Sequence, residues 1–197
     1  MNVGVIGCGR VVDGHMIAYR SIEGVKVVAV SDVVADRARA LAEKYKIDKA
    51  FTDYRDLLGV KDLDLVDICT PTLTHAEIAC DVAKSGRDFL LEKPMARTSV
   101  ECERIIQEAK RNGVRGCVVH NQLFCYSIRI ARQLVDSGQY DIASFRTCTK
   151  ENEHLIGAPP WVTKPESGGV LWEVGCHAAY LQLHFLNCLL YTSPSPR

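Results

Sequence analysis

Neither sign of charge is in excess: 24 lysines and arginines stand against 24 aspartates and glutamates in 197 residues. A surface that neutralises phosphates needs a basic surplus, so nucleic acid is not an expected partner. No CxxC pair occurs. The nine cysteines (Cys8, Cys69, Cys80, Cys102, Cys117, Cys125, Cys148, Cys176 and Cys188) are odd in number and scattered, which argues against a zinc ribbon and against a disulfide framework. Several fall in apolar runs, where a thiol packs as a small hydrophobe. No apolar stretch is long enough to cross a bilayer, so no membrane partner is expected. The chain opens on "MNVGVIG" without a charged leader or cleavage site. These absences read as a reduced, cytoplasmic, soluble protein.

What is present is a rhythm. Runs at 3–7, 25–32, 64–70, 88–94 and 113–120 are near-continuous in Val, Ile and Leu, as strands covered on both faces are. Helical spacing fills the intervals. Ala35, Ala38, Leu41, Ala42 and Tyr45 share one face of 34–46, and the segments 74–86 and 99–113 end on Gly86 and Gly113. This alternation predicts an α/β fold, a doubly wound parallel sheet of Rossmann type over residues 1–120. After His120 the rhythm changes. A helix at 124–138, an alternating strand at 142–151, a Pro- and Gly-rich loop at 157–169 and a helix from about Gly175 predict the start of an α+β domain over 121–197, which ends in an atypical tail at 188–197. One strand does not make a sheet, so this second region reads as unfinished.

The first run leads into "GCGRVVDGH", with Gly7 and Gly9 at a strand-to-helix turn and Val12 where a third small residue is common. Gly7 permits the tight turn, and Gly9 lets backbone approach a pyrophosphate at a helix N-terminus. Asp32 stands 23 residues beyond Gly9, at the end of the second strand, where it can accept hydrogen bonds from an adenosine ribose. A carboxylate there repels a 2′-phosphate, so NAD is expected in preference to NADP. Arg37 either stacks on adenine or is a solvated helix charge.

Lys93 follows the fourth run, between Glu92 and Pro94. Alone, a strand-end lysine usually reaches for water. Ligands of open α/β sheets, however, bind outside the carboxyl ends of the strands, and a Lys–Pro bond can be cis at modest cost. Glu173 and His177 stand at i and i+4 and would face one way if helix begins early enough. Cys176 has no second Cys or His at zinc spacing, so no metal is expected; His15, His154 and His184 read as structural or solvent-exposed.

With these segments, and with "CTPTLTH" (69–75), "LEKPMARTSVE" (91–101), "VVHNQLF" (118–124) and "ESGGVLWEVGCH" (166–177), the chain resembles the Gfo/Idh/MocA oxidoreductases over roughly residues 1–187. The resemblance implies that Gly7, Gly9, Arg10 and Val11 bind the pyrophosphate, and Asp32 and Arg37 the adenosine end. It implies that Thr70, Pro71, Thr72 and His75 line the cofactor cleft and that Glu92 holds the nicotinamide ribose. Lys93 would be catalytic with a cis bond to Pro94. Asn121, Gln122 and Trp161 would face a sugar or polyol substrate, and His177 would be the catalytic histidine. Two positions depart from the family pattern: Glu173 replaces a usual Asp, and Tyr180 stands where an Asp is common.

The implied chemistry is hydride transfer, with Lys93 taking the hydroxyl proton, His177 relaying it or holding the same oxygen, and Glu173 orienting a second hydroxyl. A lysine serves as base near neutral pH when burial and a neighbouring positive charge disfavour its ammonium form. Two rival readings use the same scaffold: a glycosidase that uses NAD transiently, and a non-catalytic NAD-binding regulator. In relatives a large antiparallel sheet follows the histidine and carries the oligomer interface. The chain is therefore expected to be an incomplete member, with homo-oligomers expected for the complete one.

Overall fold

The computed structural model describes residues 1–142, 144–146 and 169–186. The chain divides into two compact units, Met1–Val119 and His120–Arg197. The first is a sheet of six parallel strands: β1 (Asn2–Ile6), β2 (Lys26–Ser31), β3 (Lys49–Phe51), β4 (Leu65–Ile68), β5 (Asp88–Leu91) and β6 (Gly116–Val118), in the order β3-β2-β1-β4-β5-β6. Five helices connect them: α1 (Val12–Ser21), α2 (Ala35–Tyr45), α3 (Tyr54–Leu58), α4 (Thr72–Lys84) and α5 (Ser99–Asn112). This is the doubly wound order, whose direction reverses between β1 and β4.

The continuous apolar runs follow from burial on both faces. Along β4, Val66 and Ile68 join a core with Ile6, Phe89 and Leu91, beneath α4 and α5. The other face of the sheet, with Val3, Val5, Val27 and Val30, is covered by Val12, Met16 and Tyr19 of α1 and Ala38, Leu41 and Ala42 of α2. Val3, Val5, Val30, Val66, Ile68 and Leu91 are all fully buried, each such side chain contributing about 1.5–3 kcal/mol.

Local chemistry sets the helix ends. Thr98 caps α5 by accepting the Glu101 N–H at 3.1 Å, while the Glu101 carboxylate accepts the Arg97 N–H at 2.9 Å, a close variant of the capping box. Gly86 and Gly113, expected after helix ends, have φ of +76° and +65°.

The structure adds elements that the hydrophobic pattern does not reveal. β3 is three residues at a sheet edge, two of them exposed, and α3 is five residues long. Neither carries enough apolar residues to show a period. In the second unit a 3₁₀ turn (Asn121–Phe124) precedes α6 (Tyr126–Asp136), and α7 spans Gly169–Leu186. α7 therefore begins earlier than the expected Gly175. Of the strand expected at 142–151, Ile142 and 144–146 are in irregular backbone. The rest of it, the loop at 157–168 and the tail at 188–197 lie outside the described residues.

Candidate active site

The carboxyl ends of β1 and β4 meet at the reversal point of the sheet, where open α/β sheets form their ligand crevice, and the turn after β1 lies on that edge. Gly7 has φ +95° and donates its N–H to Ser31 O at 2.8 Å. A Cβ at Gly7 would lie 2.6 Å from Cys69 O, 2.7 Å from Cys69 C and 2.9 Å from Thr70 N. The loop after β4 thus packs directly on this glycine. At Gly9 the situation is opposite, since no atom lies within 4 Å of where a Cβ would be.

Asp32 ties this turn to the next. Its Oδ2 accepts the Cys8 N–H at 2.8 Å and its Oδ1 accepts the Val34 N–H at 2.8 Å. A carboxylate has about four acceptor sites, so two further donors can be taken. Burial first, and then Asp32, push the Cys8 thiol up to about 12, with Arg37 working against them. Arg10, Val11 and Arg37 are exposed. Val11 is the N-cap of α1 and makes no side-chain capping bond; the Val12 N–H reaches Gly9 O at 3.4 Å and the Gly14 N–H reaches Val11 O at 3.1 Å. An open glycine, a helix start with no side chain laid across it and a carboxylate with spare acceptor sites fit a dinucleotide's pyrophosphate and adenosine ribose.

The wall of the crevice is held from behind. Pro71 is the N-cap of α4, which starts at Thr72 rather than the expected 74, and Thr74 Oγ1 donates to Pro71 O at 2.9 Å. Thr70 is half-buried and Pro71 exposed, while Thr72 is buried. His75, expected to line the cleft, has no exposed surface. Its Nδ1 faces Pro94 O and its Nε2 faces Thr70 O, both at 2.8 Å. It sits behind the wall and pins the loops after β4 and β5 to each other, because its place on the first turn of α4 points it inward.

Glu92 and Lys93 follow β5 and are half-buried, and the Lys93–Pro94 bond is cis. Glu92 Oε2 accepts the Lys93 N–H at 3.0 Å, and Oε1 lies 3.0 Å from His15 Nε2. His15, read from sequence as structural or exposed, instead bridges two carboxylates: its Nδ1 is 2.8 Å from Asp67 Oδ2. An ionised carboxylate only accepts, so both ring nitrogens donate and the ring is a cation. Burial opposes that charge, yet bonds to Asp67, Cys69 and Glu92 outweigh it and push His15 up to about 12. For Glu92, burial works upward, but the His15 bond and charge leave the carboxyl below its ordinary value.

Asp67 completes the cluster. It is fully buried in β4 and accepts from Tyr19 OH at 2.8 Å and from Cys69 Sγ at 3.6 Å. Burial first, then Asp67, raise the Tyr19 phenol, and burial raises the Cys69 thiol to about 12. The donor atoms of His15, Asp67 and Cys69 lie within 4.8 Å of one another. They have the donor types of a metal site, but each is engaged with a neighbour in hydrogen bonds. The sequence carries one trace of this cluster that could have been followed, an acid in the middle of an apolar strand; that His15 and Tyr19 reach it is decided by the packing of α1.

In the second unit, Asn121 and Gln122 form the start of the 3₁₀ turn, Asn121 exposed and Gln122 half-buried. Glu173 and His177 both fall within α7, four residues apart. His177 Nδ1 is hydrogen-bonded with the hydroxyl of Tyr180, a buried residue whose ring lies 4.2 Å from that of His120. The tyrosine that departs from the family pattern is thus engaged with the candidate histidine. Trp161 lies outside the described residues.

The chain is similar to known proteins in sequence and in fold. Inositol 2-dehydrogenase of Salmonella paratyphi B is 36% identical over 117 residues, 58% of this chain and 35% of that protein. Myo-inositol 2-dehydrogenase of Thermotoga maritima is 28% identical over 177 residues, 90% of this chain and 52% of its own. The crystal structure of an oxidoreductase domain protein from Kribbella flavida superimposes with a TM-score of 0.83 at 28% identity, covering 94% of this chain and 52% of that one. The chain spans about a third to a half of the length of these relatives. Residues 1–120 match the model of the Gfo/Idh/MocA oxidoreductases, described as an oxidoreductase family with an NAD-binding Rossmann fold, and the chain belongs to that family.

Proposed function

We propose that this chain carries the cofactor half, and the start of the substrate domain over 121–197, of an NAD-dependent dehydrogenase that acts on a CH–OH group of a sugar or polyol. The observation that carries the reading is what gathers at one edge of the sheet. An open glycine turn, Asp32 and the Glu92–Lys93–Pro94 corner all meet the carboxyl edge of a sheet whose order reverses there. Relatives named for inositol support a polyol as the substrate class. Gly7, Gly9, Arg10 and Val11 would hold the pyrophosphate, and Asp32 with Arg37 the adenosine end, with the carboxylate favouring NAD over NADP. Thr70 and Pro71 would form the facing wall, backed by the buried Thr72 and His75, and Glu92 would hold the nicotinamide ribose. Bound NAD supplies the acceptor for a hydride. Lys93 takes the proton from the substrate hydroxyl. By the family resemblance His177, hydrogen-bonded with Tyr180, would hold or relay a proton, and Glu173, Asn121, Gln122 and Trp161 would orient the remaining hydroxyls.

The test is a thermal-shift titration with NAD and NADP, joined to turnover of myo-inositol by a complete chain bearing Lys93→Met. NAD at a hundredfold excess over its dissociation constant should stabilise by about 2.7 kcal/mol, and NADP by clearly less. The Lys93→Met chain should keep NAD affinity and lose turnover by about 10²–10⁴-fold. A cooperative melt that neither dinucleotide moves would refute the cofactor site, and surviving turnover would refute the role of Lys93.

A further inference from the structure

Asp67 has no exposed surface and lies in a strand that is otherwise apolar. A carboxylate in such a place is costly unless donors surround it. Three do: Tyr19 and His15 from α1, and Cys69 from the end of β4. The order does not stop at Asp67. It continues through the two nitrogens of His15 to Glu92, and through the second oxygen of Glu92 to the Lys93 N–H. A single run of hydrogen bonds joins the buried middle of β4, by way of α1, to the corner after β5. Its members are separated by 52 residues (His15 to Asp67) and 77 residues (His15 to Glu92) along the chain.

We propose that His15 is a positioning residue: clamped between Asp67 and Glu92, it fixes the Glu92 carboxylate, and through it the backbone that carries Lys93, in the orientation the dinucleotide requires. This rests on the reading of the crevice as a dinucleotide site. The geometry supports holding rather than proton transport. Asp67 is sealed from solvent, and its other two partners keep their protons, the Tyr19 phenol being raised by burial and then by Asp67, and the Cys69 thiol by burial. A proton passed to His15 therefore has no exit through β4. The groups facing the ring are Asp67 and Cys69 from β4 and its end, Glu92 from the β5 corner, and Tyr19 alongside Asp67 from α1.

The experiment uses the 197-residue chain, with NAD as the probe. Nitrogen-15 NMR of the imidazole rings between pH 6 and 9 reads His15 in the wild type, and carbon-13 NMR reads the Glu92 carboxyl. NAD dissociation constants are measured for wild type, His15→Gln, Glu92→Gln and the double variant. Both His15 nitrogens should stay protonated across the range. Either single variant should weaken NAD about tenfold or more, as loss of a charged hydrogen bond does, and the double variant should be no worse than the worse single. In His15→Gln the Glu92 carboxyl should titrate at higher pH, so that NAD binding falls as pH is lowered through the carboxylate range, whereas the wild type stays flat there. A role confined to packing would lower the melting temperature without this coupling or this pH dependence. A neutral His15 at pH 7–8 in the wild type overturns the proposal without recourse to any variant. So does unchanged NAD affinity in His15→Gln, or fully additive losses. If the wild type binds no NAD while His15 is a cation and Glu92 shifts in His15→Gln, the clamp stands and the dinucleotide reading fails.

Discussion

Gly7 and Gly9 differ by two positions and by opposite surroundings, which makes them a matched pair for substitution. Alanine at Gly7 meets two penalties. Its φ of +95° is one that L side chains rarely adopt, worth about 1–2 kcal/mol. Its methyl would also lie 2.6–2.9 Å from three backbone atoms of Cys69 and Thr70. These are not ends of flexible side chains and can yield only if the β4–α4 loop moves, which adds about 1–3 kcal/mol. Gly7→Ala should therefore destabilise the fold by about 2–5 kcal/mol, each kcal/mol lowering the melting temperature by about 2–4 °C for a chain of this size. Gly9→Ala has open space around the new methyl, so its stability should stay within about 0.5 kcal/mol of wild type, as for surface changes generally. The same methyl would stand where the pyrophosphate is expected to approach, and NAD affinity should fall. Denaturant melts and NAD titrations on both variants separate the two effects. A Gly7→Ala chain as stable as wild type would refute the steric account, and a Gly9→Ala chain that binds NAD unchanged would refute the cradle.

Two further outcomes concern the buried cluster. His15 rises from 6.5 to about 12 on folding, so the native state holds a proton that the unfolded chain releases above about pH 6.5. Its stabilisation is complete below that value and shrinks as pH rises towards about 12, by about 1.4 kcal/mol per pH unit. Unfolding free energies at pH 7, 8 and 9 should show this slope in wild type relative to His15→Gln; parallel curves would remove the charge from His15. Tyr19→Phe leaves the ring and deletes one donor to the buried Asp67 carboxylate, at 2.8 Å in the wild type. It should cost about 1.5–3 kcal/mol in the same melts, and a loss near zero would mean that Asp67 is not an ion at that site.

The parts of this protein that are legible in its sequence are those governed by neighbours along the chain. Strands β1, β2, β4 and β5, buried or half-buried along most of their length, write themselves as near-continuous runs of Val, Ile and Leu; β6 shows through the apolar residues that flank it, although like β3 it has two of its three residues exposed, and β3 has no such run around it. The turn at Gly7 and the caps at Gly86 and Gly113 are backbone requirements met by one residue each, so composition exposes them. Asp32 is legible because its distance from the glycines is set by one strand–helix–strand unit. What tertiary structure alone decides is which side chains meet across the sheet. His15 looks unremarkable on α1, and Asp67 looks like an interruption of β4. Only the packing of α1 on that face of the sheet makes one the partner of the other and carries the connection to Glu92. Likewise His75 matches a motif expected to line a cleft, yet the first turn of α4 directs it inward to the carbonyls of Thr70 and Pro94. The physical reason is common to both cases. Periodicity and turn chemistry are local and repeat, whereas a hydrogen bond between residues 52 or 77 apart exists only once the sheet has brought them within 3 Å.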